Sequence, residues 1–456
     1  MRRAFDLCSS RDNLPDMIRK LHLHNIGPAP DLDAEFADRL NLITGDNGLG
    51  KTFLLDACWF GLTKRTWAGD PFYPSTDVGK DDPPRIDYTL AGGANDEITS
   101  HAEYQFSSLT WKGKSGRPAK PGLVIYARID GGFSVWDPAR NYWKDDEFDD
   151  GLPSAKSPRS YQFEKSEVWN GLSHPKDSTN IEDVVCNGLL RDVENWRLKK
   201  NGAIELLQNV LKDLSADEHE VIRIGDRGVT LGTSTVEIPT LVMPYGEIPV
   251  RHAAAGMKRI VSLAYLLVWA WEAHKSAAKN RREDPTRRMV LIFDEIEAHL
   301  HPKWQKVILP ALLKVVEGFL KSDQASAVQI IATTHAPLIL GSVEALWDPA
   351  RDQLFDFDLE GDCVEFEAIE FARHGSAENW LGSDSFDLPD DYPGYSVHAQ
   401  KAMNRADAFM LKYPDDSKTP VDEMEEVYRA LQQALGGDDE YWPYWTPYLD
   451  RRRAVK

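Results

Sequence analysis

Apolar and polar residues alternate along Ile18-Arg-Lys-Leu-His-Leu-His24, which predicts a strand with one covered face, and Gly27-Pro28-Ala29-Pro30 then turns the chain. Leu40-Asn-Leu-Ile-Thr44 reads as a short buried strand, and an apolar run beginning at Thr52 predicts a helix. Between about residues 83 and 143 a period of two, broken by Gly, Pro and Asn, predicts antiparallel strands, among them Arg85–Leu90, Gly122–Arg128 and Gly132–Trp136. The acidic, then Ser/Pro-rich stretch 145–158 predicts a loop or hinge. Helical spacing runs from Ile181 to Leu214, short strands follow over Val221–Pro249, and dense apolar positions over Gly256–His274 predict a deeply buried helix. Charged 279–288 reads as an exposed connection. Beyond it the pattern gives a strand (Met289–Phe293), a helix (Pro302–Leu320) and a strand (Ala327–Thr333), then from about 348 a hairpin and two helices. No internal repeat and no sustained heptad is present.

Composition narrows the classes. The chain has 456 residues with net charge −20 and 42% hydrophobic positions, so it is globular and ill suited to wrapping nucleic acid over most of its surface. Local basic runs, Lys112–Lys120 and Arg197–Lys200, still allow a confined DNA or RNA contact. Cys8, Cys58, Cys186 and Cys363 are scattered without a CxxC pair, as expected of reduced thiols in a cytoplasmic protein. No apolar run is long enough for a bilayer, so no membrane contact is expected.

The candidate chemistry lies at predicted strand ends. Gly45-Asp46-Asn47-Gly48-Leu49-Gly50-Lys51-Thr52 fits G-x-x-x-x-G-K-[ST] between a strand and a helix, the context in which backbone amides cradle phosphates. Lys51 would neutralise phosphate charge, and Thr52 would ligate Mg2+ beside ATP. The strand ending in Asp294-Glu295 offers a second metal carboxylate, Asp294, and a base for the attacking water, Glu295. Ile330-Ile-Ala-Thr-Thr334-His335 is a third buried strand ending in polar residues, with His335 placed to sense the γ-phosphate.

The order of these elements resembles the ABC-type ATPase head of the SMC and OLD-like superfamily, and Asp294-Glu-Ile-Glu-Ala-His-Leu-His301-Pro-Lys-Trp-Gln is similar to the Walker B and D-loop of its stand-alone bacterial ATPases. Relatives of this kind serve antiphage systems of the Septu, OLD/Gabija and retron-linked types. The resemblance implies an α/β P-loop NTPase with an antiparallel β lobe (about 83–143), a helical insertion (about 160–250) and an α-rich tail. The head would span 17–347, after an N-terminal extension 1–16 and before a C-terminal region 348–456. It implies a homodimer or higher oligomer with ATP sandwiched between heads, regulating a separate effector such as a nuclease. The family's signature would fall at Arg251–Arg259, where Ala255 and Gly256 would bind the partner's ATP; Ala254 stands where a serine is usual. A glutamine that reaches the metal would be Gln162 in Ser160-Tyr-Gln-Phe, with a surface glutamine as the other reading. The D-loop would fall at Ala298–His301. His299 and His301 flank Leu300 without Cys or paired carboxylates, so no zinc site is expected there.

OLD-like nucleases append an acidic metal-binding domain, but Asp352–Phe371 alternates like a hairpin turning at Glu360-Gly361-Asp362, and no D-x-D follows at a strand end. A self-contained ATP-gated nuclease and a weakly hydrolysing scaffold remain as alternatives. Tyr441-Trp442-Pro-Tyr444-Trp445-Thr-Pro-Tyr448 reads equally as a partner-docking patch or as packing.

Overall fold

The computed structural model describes residues 17–454 except 30, 64–65, 75–81, 92–96, 114–120, 142–159, 177–180, 201, 218, 234, 321–326, 362, 384, 387–391 and 415–418. The expected extension 1–16 and the acidic stretch 145–158 lie outside the described residues, as does most of the basic run 112–120. The chain divides into two compact units, Met1–Arg373 and His374–Lys456.

Largely apolar strands build the centre of the first unit, because a strand covered on both faces favours apolar positions, and the buried Asn41 and Gln329 within them are hydrogen-bonded to backbone carbonyls. An eight-stranded sheet runs in the order Cys363–Ile369, Asp352–Glu360, Leu40–Ile43, Ala327–Thr333, Arg288–Phe293, Leu123–Ala127, Phe133–Trp136, Tyr161–Phe163. The five strands from Asp352–Glu360 to Leu123–Ala127 are mutually parallel, and antiparallel strands close both edges. A second, five-stranded antiparallel sheet has the order Asp31–Glu35, Ile18–His24, Arg85–Ala91, Glu97–Gln105, Thr110–Gly113. The helix Lys51–Leu62 touches strands of both sheets, which is why nearly every position from Leu54 to Leu62 is apolar and buried rather than one stripe. The long helix Ala255–Arg281 packs on Leu123–Ala127 and on the helix Ala203–Asp213, with Ile260 to Trp271 buried throughout.

Several elements differ from the sequence expectations. Leu123–Ala127 pairs parallel with Met289–Phe293, so the expected antiparallel lobe 83–143 is divided between two sheets. Its apolar residues are all buried, the mark of a central strand. Residues Ile181–Cys186 form a hairpin strand with Leu172–Lys176 before the helix Leu189–Lys199 begins. The expected helix Pro302–Leu320 breaks into Pro302–Gln305 and Ile308–Leu320. The break places Pro310 in a first helical turn, where its missing N–H has no carbonyl to satisfy. The long helix runs on to Arg281, into the expected connection. The hairpin Asp352–Ile369, expected in a C-terminal region from 348, adds two strands to the central sheet, so the compact boundary falls at 373.

The second unit contains the helices Ala377–Leu381, Val397–Lys412, Val421–Ala434 and Trp442–Ala454. Its core joins Met403, Phe409, Met424, Leu431 and Leu449 with Tyr441, Trp445 and Tyr448. The aromatic run is therefore mostly core: Trp445 is wholly buried, and Tyr444 alone of its large rings is freely exposed at 64%.

Candidate functional site at the strand ends

The loop Gly45–Thr52 joins the strand Leu40–Ile43 to its buried helix. Gly45, Gly48 and Gly50 all have positive φ, at 115°, 84° and 110°. At Gly45 the requirement is also steric, because a Cβ would lie 2.2 Å from the Phe357 carbonyl oxygen. That strand is stapled to the loop: Thr44 N–H donates to the Phe355 carbonyl at 2.9 Å, and Thr44 Oγ1 donates to Asp356 Oδ1 at 2.6 Å. Asp46 and Asn47 are exposed at the tip while Leu49 is buried beneath it. Gly50 caps the helix without a side chain, so its first amides are open to an anion. Lys51 Nζ donates to the carbonyls of Gly45 at 2.8 Å and Asp46 at 2.5 Å, spanning the loop mouth. Burial lowers its pKa, opposed by the nearby carboxylates of Glu295, Asp46, Asp294 and Asp356.

Three strand ends meet at Asp294. Thr52 Oγ1 lies 3.1 and 3.0 Å from its two carboxylate oxygens, and Thr333 Oγ1 donates to Oδ1 at 3.1 Å. Asp294 is 3% exposed, and desolvation raises its pKa against the hydrogen bonds from Thr52 and Thr333 and the charges of Lys51 and Arg259. A hydroxyl pressed against a desolvated carboxylate is the oxygen-donor pair that Mg2+ accepts. Glu295 sits at φ 46°, a left-handed conformation costly for a side-chain-bearing residue, and its N–H donates to Thr333 Oγ1 at 2.8 Å. Burial, then Asp294, raises the Glu295 pKa. His335 Nε2 lies 3.9 Å from Glu295 Oε1, and burial followed by the Lys51 charge lowers the imidazole pKa, favouring the neutral ring.

The structure thus brings Lys51, Thr52, Asp294, Glu295 and His335 together, and adds residues that sequence reasoning missed. Glu297 is half-buried and accepts from Thr334 Oγ1 at 2.8 Å and from the His335 N–H at 2.5 Å, tying the histidine strand to the turn after Asp294. Its signal was the second glutamate of Asp-Glu-Ile-Glu; that of Thr333 was the paired threonines before His335.

Gln162 is not brought to this pair. Its amide nitrogen donates to the Trp67 carbonyl at 3.1 Å and to Ser160 Oγ at 3.0 Å, and its oxygen accepts from Ser134 and, at 3.3 Å, from Arg128. Both ends of the amide are hydrogen-bonded, and its oxygen holds the Arg128 guanidinium. Ala255 and Gly256 open the long helix, whose cap, Ala254, makes no side-chain hydrogen bond. A Cβ at Gly256 would lie 2.9 Å from the His299 carbonyl, so the helix start and the turn after Asp294 are in close contact. Beside this start is an open cavity of about 920 Å3 lined by Arg128, Asp130, Lys165, Trp169, Arg251 and Lys258 among others. Lys165 and Lys258 form no ion pair among the described residues. In the other basic run Arg197 is committed to Glu194 and to the Gly225 carbonyl.

Strand order, phosphate loop and convergent strand ends give this chain the α/β fold of a P-loop NTPase. Its sequence matches an AAA domain over residues 20–172, and over 244–341 a second described as "AAA domain, putative AbiEii toxin, Type IV TA system". The two matches hold the phosphate loop and the Asp294–His335 half, leaving 173–243 between them. Among characterised proteins the chain is similar to Septu protein PtuA of Bacillus thuringiensis, 24% identical over 325 residues, or 70% of this chain and 72% of that one. It is also similar to a protein named "Retron Ec83 probable ATPase" of Escherichia coli, 26% identical over 155 residues, 33% of this chain and 23% of that one. Similar solved structures include the SMC head domain from Thermotoga maritima (13% identity, TM-score 0.38, 78% of this chain and 99% of that one). The recombination mediator RecF in its RecF-ATPrS structure is another (14%, 0.39, 78% and 99%).

Proposed function

We propose that the chain binds and hydrolyses ATP at the Gly45–Thr52 loop, pairs head to head with a second copy around ATP, and through that cycle regulates a separate effector, a nuclease, in antiphage defence. The observation that carries the reading is the contact of Thr52 Oγ1 with both Asp294 oxygens at 3.0–3.1 Å, beneath Lys51 and beside Glu295 and His335. Thr52 and Asp294 would hold Mg2+, which supplies charge neutralisation at the phosphates when bound. Glu295 takes the proton of the attacking water as its oxygen bonds to the γ-phosphorus. The bond from that phosphorus to the β-phosphate oxygen breaks, and Lys51 stabilises the charge left on ADP. Neutral His335 donates to the γ-phosphate, and Glu297 fixes its strand end.

The uncapped amides of Ala255 and Gly256, with the cations of the adjoining cavity, support a role facing the second copy's phosphates. The defence setting and the separate effector rest on similarity to Septu PtuA and the retron ATPase. Against the self-contained nuclease, Glu360 pairs with Cys363 at the tight end of an ordinary hairpin. Localisation in the cytoplasm belongs to the same proposal; among the described residues no helix is long and apolar enough to cross a membrane. In the test, Glu295→Gln should lose turnover by about 100-fold or more while forming an ATP-dependent dimer in analytical ultracentrifugation. Retained turnover would remove Glu295 as base, and a monomer at saturating ATP would remove the dimer.

A further inference from the structure

The polar face of the antiparallel sheet carries a cluster unrelated to the phosphate loop. His22 and His24 are two apart on one strand, so both project from the face opposite buried Leu21 and Leu23. Antiparallel register sets Asp33 directly across from His22 and Asp31 directly across from His24. On the other flank, Asp87 and Arg85 face the same two histidines and are paired with each other at 2.6 Å.

Each ring is oriented by an outer carboxylate. Asp33 Oδ1 lies 2.8 Å from His22 Nδ1, and Asp82 Oδ1 lies 2.8 Å from His24 Nε2, with Asn25 bracing Asp82 Oδ2 at 3.0 Å. The inner nitrogens converge on one atom: His24 Nδ1 is 2.5 Å and His22 Nε2 is 3.7 Å from Asp31 Oδ1. One ligating atom from each of His22, His24 and Asp31 lies within 4.8 Å of the others. The rings are nearly parallel, 17° apart.

From this geometry we infer that His22, His24 and Asp31 form a binding site for a first-row divalent transition ion such as Zn2+, with Asp33 and Asp82 as its outer shell. Two imidazoles and one carboxylate are donors such ions favour over Mg2+ or Ca2+. A carboxylate on the far nitrogen of each ligating histidine fixes its tautomer and raises its basicity, a recurrent device of metal centres. Asp31 is 55% exposed, which leaves the remaining coordination positions to water. Bound there, the ion links the strands Ile18–His24 and Asp31–Glu35 to the segment at Asp82.

The test uses the full chain, stripped with chelator and titrated with ZnCl2 by calorimetry at neutral pH without nucleotide. One equivalent should bind, and Co2+ in the same site should give visible ligand-field bands. Replacing both His22 and His24 with Ala should abolish bands and binding. Asp82→Asn, which keeps all three ligands, should weaken Zn2+ by about tenfold or more. Asp294→Asn should leave the affinity unchanged. Absence of Zn2+ binding by the native chain, undiminished binding by the folded double-histidine variant, or loss of the binding in Asp294→Asn would each overturn the site. Unfolding midpoints of metal-free variants equal to native exclude misfolding as the cause, and because none of these readouts uses ATP, failure here leaves the ATPase proposal standing.

Discussion

The two sheets that enclose the helix Lys51–Leu62 place their chemistry in different ways. In the central sheet, Leu40–Ile43 and Leu123–Ala127 are buried at every position, and Arg288–Phe293 and Ala327–Thr333 at nearly every one. With both faces covered, polar groups reach the surface mainly where the strands stop, and Thr44, Asp294 and Thr334 follow at once. In the antiparallel sheet, Asp31–Glu35 alternates exposed and buried, so polar residues collect along a face. Strand ends converge from different parts of the chain onto one point, which suits a ligand held from several sides. A face displays residues of neighbouring strands in a row, which suits a small ion held by short-range register.

If the strand ends are the rigid side of this comparison, Gly45→Val should give the largest effect. Its Cβ would meet the Phe357 carbonyl at 2.2 Å in a left-handed conformation, costing roughly 3–5 kcal/mol and nucleotide binding together. Gly48, with nothing within 4 Å, should accept Ala for about 1 kcal/mol, measured by denaturant midpoints. A smaller effect is expected at Thr333→Val, which keeps shape but strips Asp294 of a donor and the Glu295 N–H of its acceptor. Turnover should fall about 10- to 100-fold with little change in KM for ATP. An equal fall in ATP affinity would mean that Thr333 holds the loop rather than the base.

A change that leaves turnover aside tests the helix shared by both sheets. Burial pushes the Asp56 carboxyl up to about 6, against a hydrogen bond from Tyr126. A raised acid favours the folded chain below its unfolded value of 3.8, and that contribution is lost as pH rises through 6. Asp56→Asn should therefore be the more stable chain at pH 7, by at most roughly 3 kcal/mol, with the gap closing near pH 4. A gap that persists at pH 4 would show that packing, not ionisation, separates the two.

The strands Leu40–Ile43, Met289–Phe293 and Ala327–Thr333 and the phosphate loop between the first and its helix were legible in the sequence because each is local: a largely apolar run ending in polar residues. What escaped depends on distant pairing. Leu123–Ala127 is a continuous apolar run set among alternating strands, and its parallel partner is more than 160 residues away. Gln162 reads as a metal ligand or a surface glutamine from position alone, and the hydrogen bonds its oxygen accepts from Ser134 and Arg128 come from distant parts of the chain. Asp352–Glu360 read as the start of a tail because its pairing with Leu40–Ile43 spans over 300 positions. The His-x-His and Asp-x-Asp pair at 22–33 was in plain view, but only the register that sets them opposite one another gives it meaning.

The strand Asp352–Glu360 has a consequence for synthesis. The phosphate loop emerges from the ribosome early, but the backbone that holds Thr44 and fills the space beside Gly45 is made about 300 residues later. A nascent chain can carry the nucleotide motif for about 300 residues of elongation without the wall that shapes it. Arg39, paired with buried Asp352 through a two-pronged ion pair, then fastens that wall at the opposite end of the same strand. The motif is encoded with the first strand of the central sheet, and the site is finished by one of the last strands added to it.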